Sequence, residues 1–292
     1  MNLLAAISDA ITLATGTPFV VARQAAIGGG CINRALKLTD GQRSFFVKVN
    51  SAEHLAMFEA EAAGLDEVLA SRSIRVPRPV CRGTAAGQTF LVLEYLELRS
   101  QGNAAALGRQ LAQMHRTTQS RFGWRRNNTI GSTPQLNPWT INWLNFLRDQ
   151  RLGFQLRLAS ENGYVGKLQH DGEKLLADLN VFFTGYSPAA SLLHGDLWGG
   201  NYAFIESGEP VIYDPAVYYG DREADLAMTE LFGGFPSGFY AAYHETWPLD
   251  AGYAVRKTLY NLYHILNHAN LFGGGYAAQA ERMIAQLLAH IR

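Results

Sequence analysis

Three side chains set the chemistry open to this chain. Asp196 and Asn201 flank four residues in the run His194-Gly195-Asp196-Leu197-Trp198-Gly199-Gly200-Asn201, and Asp214 comes thirteen residues after Asn201, directly before Pro215. Moving a phosphoryl group onto a hydroxyl asks little covalent chemistry of a protein. It asks for a carboxylate beside the attacking hydroxyl and for ligands to the metal that neutralises the phosphates. An Asp and an Asn with this four-residue gap are spaced as in a kinase catalytic loop, and a second Asp completes an oxygen donor set suited to the hard cation Mg2+. Asp196 is therefore expected to be the base, with Asn201 and Asp214 as Mg2+ ligands. A glycine-rich turn whose Asp and Asn merely satisfy backbone groups would explain the gap alone, but not the His-Gly before it or Asp214 after it.

A nucleotide needs a second set of groups. Gly28-Gly29-Gly30 lies between two expected strands, the context of a hairpin loop whose backbone can close over phosphates, and not of the loops that open a helix. Lys48, on the strand-like run Phe46-Val47-Lys48-Val49, is expected to reach the α- and β-phosphates of ATP and to pair with a helix glutamate. The helix pattern over 51–71, with Ser51 as N-cap, offers Glu59 and Glu61. Leu55, Phe58, Ala62, Leu65 and Leu69 form its apolar stripe, and Glu61 falls at the edge of that stripe while Glu59 lies farther away. A carboxylate at a buried edge needs a partner, which selects Glu61 for Lys48. The run LVLEYLEL ends the strand-rich part, and backbone groups of Glu94, Tyr95 and Leu96 are expected to hold adenine.

The elements that must carry these residues follow from periodicity. Alternation in CINRALKL, the Asp40-Gly41 turn signal and RSFFVKVN predict a hairpin, and QTFLVLEYL closes a second one after the Gly87 turn. From about Asn103 helical periodicity takes over, at 103–119, 140–160, 166–184, 222–232, 252–270 and 277–291, interrupted by a hairpin-like island in NYAFIES and PVIYDP. The layout is α+β: a small antiparallel-sheet lobe over 1–97 and a larger, mostly helical lobe over 98–292. The N-terminal MNLLAAISDAITLATG reads as an amphipathic helix and not as a signal peptide. The 292 residues carry 25 Lys plus Arg against 25 Asp plus Glu, a balance that disfavours nucleic-acid and polybasic membrane-surface roles. The two cysteines, Cys31 and Cys81, form no CxxC pair and fit a reducing, cytoplasmic setting.

Taken together, these stretches resemble the fructosamine kinase (ketosamine 3-kinase) family, relatives of the aminoglycoside phosphotransferases within the bilobal protein-kinase-like fold. The resemblance rests on GGGCINRA (28–35), FVKVN (46–50), MFEAEAAGL (57–65), VPRPV (76–80), LGRQLAQMHR (107–116), LLHGDLWGGN (192–201), YDPAVYYGDREADLAM (213–228) and LYNLYHILNHANLFGGGY (259–276). It implies ATP- and Mg2+-dependent phosphorylation of the 3-hydroxyl of a ketosamine, free or on a glycated protein. The unstable product then loses its sugar part and frees the amine. Carried over, Asp196 is the base, Asn201 and Asp214 bind magnesium, Lys48 holds phosphates and Glu61 orients Lys48. A phosphotransferase for an aminoglycoside, choline or sugar is the alternative in the same chemistry. A catalytically silent ATP-binding module is the alternative outside it, and the intact set of five polar residues argues against that one.

Four further features invite a role. Trp198, two residues after Asp196, offers either packing beneath the loop or an apolar face to the substrate, and the latter is favoured. His264 and His268, four apart on a helix, lack the HExxH pattern of a zinc site and fit packing or hydrogen bonding. Asp221, Glu223 and Asp225 suit a helix N-terminus, with Asp225 as a possible brace for the catalytic loop. Cys31 closes the glycine loop, where a thiol near Lys could respond to oxidants.

Overall fold

The computed structural model of the chain describes residues 2–28 and 32–291. Two compact units result, Met1–Asn103 with Tyr202–Pro215, and Ala104–Asn201 with Ala216–Arg292.

The first unit opens on α1 (Leu3–Thr15), capped by Asn2, whose side chain accepts from the Ala5 N–H at 2.9 Å, and closed by Gly16 in the left-handed conformation. Next come β1 (Arg23–Ile27), β2 (Arg34–Thr39), β3 (Ser44–Ser51), α2 (Leu55–Ser71), β4 (Pro79–Ala85) and β5 (Gln88–Glu94). They form one antiparallel sheet in the order β1-β2-β3-β5-β4. At the β2–β3 turn the Asp40 carboxylate accepts from the N–H groups of Gln42 and Arg43 at 2.9 and 2.7 Å, the local bonding for which Asp is favoured in turns. Ser51 stands at the entry to α2, before a 3-10 turn at Ala52–His54, but its side chain makes no capping bond. Its hydroxyl donates to Glu53 Oε1 at 2.9 Å instead, so the expected cap is corrected to a short side-chain pair.

Successive β3 residues point to opposite faces of the pleat. Phe45, Val47 and Val49 join Ile7, Ile11, Phe19, Leu36, Leu38, Phe90 and Val92 in one core between the sheet and α1. Lys48 therefore points to the other face, toward α2, whose Phe58, Ala62, Leu65 and Val68 are buried.

The second unit begins with α3 (Ala104–His115), β6 (Thr118–Gln119), β7 (Asn128–Ile130), β8 (Thr133–Gln135), α4 (Trp143–Phe146), α5 (Gly153–Glu161), α6 (Lys167–Ala177) and β9 (Ala190–Leu193). A π-helical stretch, Leu147–Leu152, joins α4 to α5. The chain then supplies the hairpin β10 (Tyr202–Phe204) and β11 (Pro210–Ile212) before β12 (Tyr218–Gly220), α7 (Glu223–Leu231), α8 (Ser237–Thr246), α9 (Tyr253–Phe272) and α10 (Tyr276–Ile291). Strands β12, β9 and β6 pair in that order. The division differs from a single cut after residue 97, because the β10–β11 hairpin groups with the first unit. Backbone bonds tie it there: Arg99 and Phe204 exchange N–H to carbonyl bonds of 2.7 and 2.9 Å, Asn103 donates to Gly208 at 3.0 Å and Ile212 to Arg75 at 3.0 Å.

α9 buries most of its circumference, including Leu259, Tyr260, Leu262, Tyr263, Ile265 and Leu266. No helix among the described residues is long and apolar enough to cross a membrane. His264 lies inside this packing, and burial, with the neighbouring His268 as a smaller cause, pulls its pKa down to about 3. The folded chain thus keeps a neutral imidazole where the unfolded chain, titrating near 6.5, takes up a proton. The stability this group contributes is full above the unfolded pKa and is lost as pH falls from there toward the folded value. His264→Asn should remove about 2 kcal/mol of the fall in unfolding free energy between pH 7 and pH 5, measured by denaturant titration of both proteins. Equal falls in the two would refute a buried neutral imidazole.

Candidate active site

In the first unit β3, α2 and the end of the β10–β11 hairpin converge on one ammonium group. Lys48 Nζ lies 2.6 Å from Glu61 Oε1 and 2.7 Å from Asp214 Oδ1. The Lys48 side chain is buried and that of Glu61 nearly so, whereas Asp214 is 46% exposed. Burial by itself would lower the lysine pKa, but the charges of Asp214 and Glu61 outweigh it and raise it well above its ordinary value, so Lys48 stays cationic. Asp214 has φ 57°, a left-handed backbone that a non-glycine residue adopts at a cost of about 1 kcal/mol or more. Glu61, and not Glu59, is the partner of Lys48.

The rest of the expected nucleotide end divides. Gly28 is exposed just beyond β1, with open space where a Cβ would stand. Gly29, Gly30 and Cys31 lie outside the described residues. Glu94 ends β5, and its N–H already donates to the Arg78 carbonyl at 2.8 Å, while its carboxylate takes Arg75 at 3.0 Å. Tyr95 and Leu96 follow outside the sheet, with Lys37 Nζ 3.9 Å above the Tyr95 ring.

In the second unit the loop after β9 is held from behind by one carboxylate. Asp225, in the first turn of α7, accepts from the N–H of His194 at 2.7 Å and of Gly195 at 2.8 Å, and from His115 Nε2 at 3.1 Å. The Tyr243 hydroxyl stands 2.8 Å from His115 Nδ1. Burial would raise the Asp225 pKa, but these hydrogen bonds and the charges of His115 and His194 hold it below the usual carboxylate range. Asp225 is the brace that the sequence left undecided. Gly195 has φ 82°, and a Cβ there would lie 2.1 Å from the Ala216 carbonyl oxygen, so the position admits only glycine.

Within the loop the Asp196 N–H donates to His194 Nδ1 at 3.2 Å. Asn201 Nδ2 donates to the Asp196 carbonyl at 2.8 Å and to Asp196 Oδ2 at 3.3 Å. The asparagine therefore gives its N–H2 edge to Asp196 and turns its carbonyl oxygen away from it.

Trp198 is 39% exposed and packs edge-to-face on Phe232 at 6.4 Å. The Phe232 ring lies tilted against His268 with centroids 4.9 Å apart, and the His268 ring is 5.5 Å from that of Phe272 and 5.1 Å from that of Tyr276. An aromatic row thus runs from the loop to α9 and α10. His268 Nδ1 donates to the His264 carbonyl at 2.8 Å, and burial lowers its pKa. The two histidines therefore serve packing and backbone bonding. Asp221 accepts from the hydroxyls of Tyr260 and Tyr186 at 2.5 and 3.0 Å, and Glu223 forms a buried bidentate pair with Arg256 at 2.7 and 3.0 Å. Both are structural. Cys81 is a free thiol pushed up to about 11 by burial, hence inert.

Sequence reasoning did not find His115, Tyr243 or the side chains of β7 and β8 that bond to the backbone after Asp214. Asn128 Nδ2 donates to the Val217 carbonyl at 2.8 Å and Gln135 Nε2 to the Ala216 carbonyl at 3.0 Å. The only signal was a cluster of Asn and Gln in NNTIGSTPQLN, which by composition reads as a loop.

Known proteins resemble this chain over nearly its whole length. The chain is 49% identical over 286 residues to a probable ketoamine kinase of Synechocystis sp., covering 97% of this chain and 96% of that one. It is 43% identical over 280 residues to the chloroplastic protein-ribulosamine 3-kinase of Arabidopsis thaliana, covering 94% and 86%. The crystal structure of a putative fructosamine-3-kinase from Haemophilus somnus superposes with a TM-score of 0.90 at 29% identity, over 98% of this chain and all of that one. An aminoglycoside phosphotransferase solved with ADP and hygromycin B shares the protein-kinase-like fold, with a TM-score of 0.60 at 15% identity over 97% and 98% of the two chains. The family description "Fructosamine kinase" matches residues 3–290, and with it the chain belongs to the fructosamine kinase family.

Proposed function

We propose that this protein transfers the γ-phosphoryl group of ATP to the 3-hydroxyl of a ketosamine of the fructosamine or ribulosamine type, either free or on a protein amine. The observation that carries the proposal is the loop of the second unit, where Asp225 fixes the backbone and Asn201 orients Asp196. That arrangement suits a base that must meet a hydroxyl in one position. The names of the relatives, ketoamine kinase and protein-ribulosamine 3-kinase, support the substrate class.

In this reading the acceptor oxygen attacks the γ-phosphorus, the bond to the β,γ-bridging oxygen breaks, ADP leaves, and Asp196 takes the hydroxyl proton. Lys48 holds the α- and β-phosphates, and Glu61 keeps its ammonium aimed. Gly28, with open space beside its Cα, lets backbone approach the phosphates. Adenine meets backbone of the Glu94–Leu96 stretch, chiefly at Tyr95 and Leu96, since the Glu94 N–H is already bonded.

Mg2+ fits the donors available. Asn201 turns its amide oxygen away from Asp196, and Asp214 engages Lys48 through one oxygen only. These are hard oxygen ligands, suited to an ion that keeps waters and substrate phosphates among its ligands. Asn201 and Asp214 would hold it, and when bound it supplies positive charge against the phosphates.

Asp196→Asn should keep nucleotide affinity but lose about 10²–10⁴-fold in kcat with a fructosamine. Turnover near wild type would contradict the base, and turnover of aminoglycosides without any ketosamine would contradict the substrate class. Trp198 presents an apolar face to the acceptor. Trp198→Ala should raise the ketosamine KM by about tenfold with little change in the ATP KM, and equal changes in both would remove it from the acceptor site.

A further inference from the structure

The buried amides of β7 and β8 have a task that the chemistry above leaves unassigned. Gln135 is 1% exposed, and its side-chain amide is fully engaged. Nε2 donates to the Ala216 carbonyl at 3.0 Å and to Asn128 Oδ1 at 2.9 Å, while Oε1 accepts from the Tyr263 hydroxyl at 2.8 Å. Asn128 in turn donates to the Val217 carbonyl and accepts from Asn137 Nδ2 at 3.0 Å. Asn137 is anchored at 2.7 Å by Arg151, a guanidinium 1% exposed that lies 4.1 Å from the Tyr218 ring centre and 4.5 Å from that of Phe146. Arg151 sits on the π-helical stretch, an irregularity found often at functional sites.

The target of this network is narrow. It grips the carbonyls of two successive residues, Ala216 and Val217, the second and third after Asp214. The Ala216 N–H donates to the His194 carbonyl at 2.8 Å, and its carbonyl oxygen stands over Gly195, where a Cβ would lie only 2.1 Å from it. One residue is thus held through its N–H by the loop that carries Asp196 and through its carbonyl by Gln135. For stability alone an apolar filling would serve at least as well, since buried polar networks cost desolvation. What a network adds is a single allowed position.

We infer that Gln135 is a positioning residue: through Ala216 it fixes the backbone leaving Asp214 to the loop that carries Asp196. The inference rests on Asp214 being a Mg2+ ligand. Mg2+ demands near-ideal geometry, and residues that orient metal ligands typically change metal affinity or activity by 10- to 100-fold.

The test is turnover of a fructosamine against Mg2+ concentration in the full chain. Gln135→Met keeps the length and removes both donors. It should lower kcat by about tenfold and raise the half-saturating Mg2+ concentration by about tenfold, with the ketosamine KM unchanged. Gln135→Glu serves if the first variant does not fold. Its carboxyl group has at most one O–H to donate where the amide has two N–H groups, so it too should raise the half-saturating Mg2+ concentration. Wild-type Mg2+ dependence in whichever of the two variants folds overturns the inference. Asp214→Asn, assayed alongside, separates the two readings. If it keeps wild-type turnover and Mg2+ dependence, the metal assignment itself fails. If it loses them while the Gln135 variants behave as wild type, only the positioning role fails.

Discussion

A lysine ammonium cannot stay buried without opposite charge, and the first unit is organised around that constraint. Lys48 reaches the α2 side of the sheet because β3 alternates, with Phe45, Val47 and Val49 taking the side of α1. Two carboxylates then meet it, Glu61 from α2 and Asp214 from two residues past β11. Removing either would leave a buried charge short of compensation, which typically costs several kcal/mol. The pairing therefore sets the register of three separate elements at once: a strand, a helix and the end of a hairpin 166 residues away in sequence.

The second unit solves the inverse problem, with a buried anion as the organiser. Asp225 lies in the first turn of α7, where the helix end favours negative charge, and it accepts two consecutive backbone N–H groups and an imidazole N–H. A loop rich in glycine has little intrinsic preference for one conformation. Here it acquires one because its entry is bonded to a buried carboxylate and its exit to Asn201. The left-handed Gly195 leaves room for the Ala216 carbonyl, so the loop and the strand that follows Asp214 pack at backbone distance.

The residues to which the sequence assigns chemistry stood out because their types are rare in combination. The helix partner of Lys48 was also readable. A helical wheel separates Glu61 from Glu59 by their distance from the apolar stripe, and the structure agrees. The β2–β3 and β4–β5 hairpins followed from alternation and from turn residues. What escaped was non-local or short. β6, β7 and β8 run two or three residues each, too few to show a period. α8 begins inside FGGFPSG, whose glycines and proline read as loop, because the chain from Ser237 is helical. The partners of Gln135 and Asn128 lie more than eighty residues away, and a side-chain amide carries no mark of the carbonyl it will meet. The grouping of the β10–β11 hairpin with the first unit was invisible for the same reason, since it depends on backbone pairing with residues 75, 99 and 103.

That hairpin has a consequence for how the molecule could be dissected. Because Tyr202–Pro215 belongs to the unit that Met1–Asn103 begins, neither unit is a continuous stretch of polypeptide. A fragment ending at residue 103 would contain Lys48 and Glu61 but only half of the counter-charge that keeps the ammonium buried. A ribosome that has just completed the five-stranded sheet has likewise not yet made the carboxylate that finishes it. Maturation of the first unit must wait for about a hundred further residues, and it ends only when synthesis of the second is well advanced.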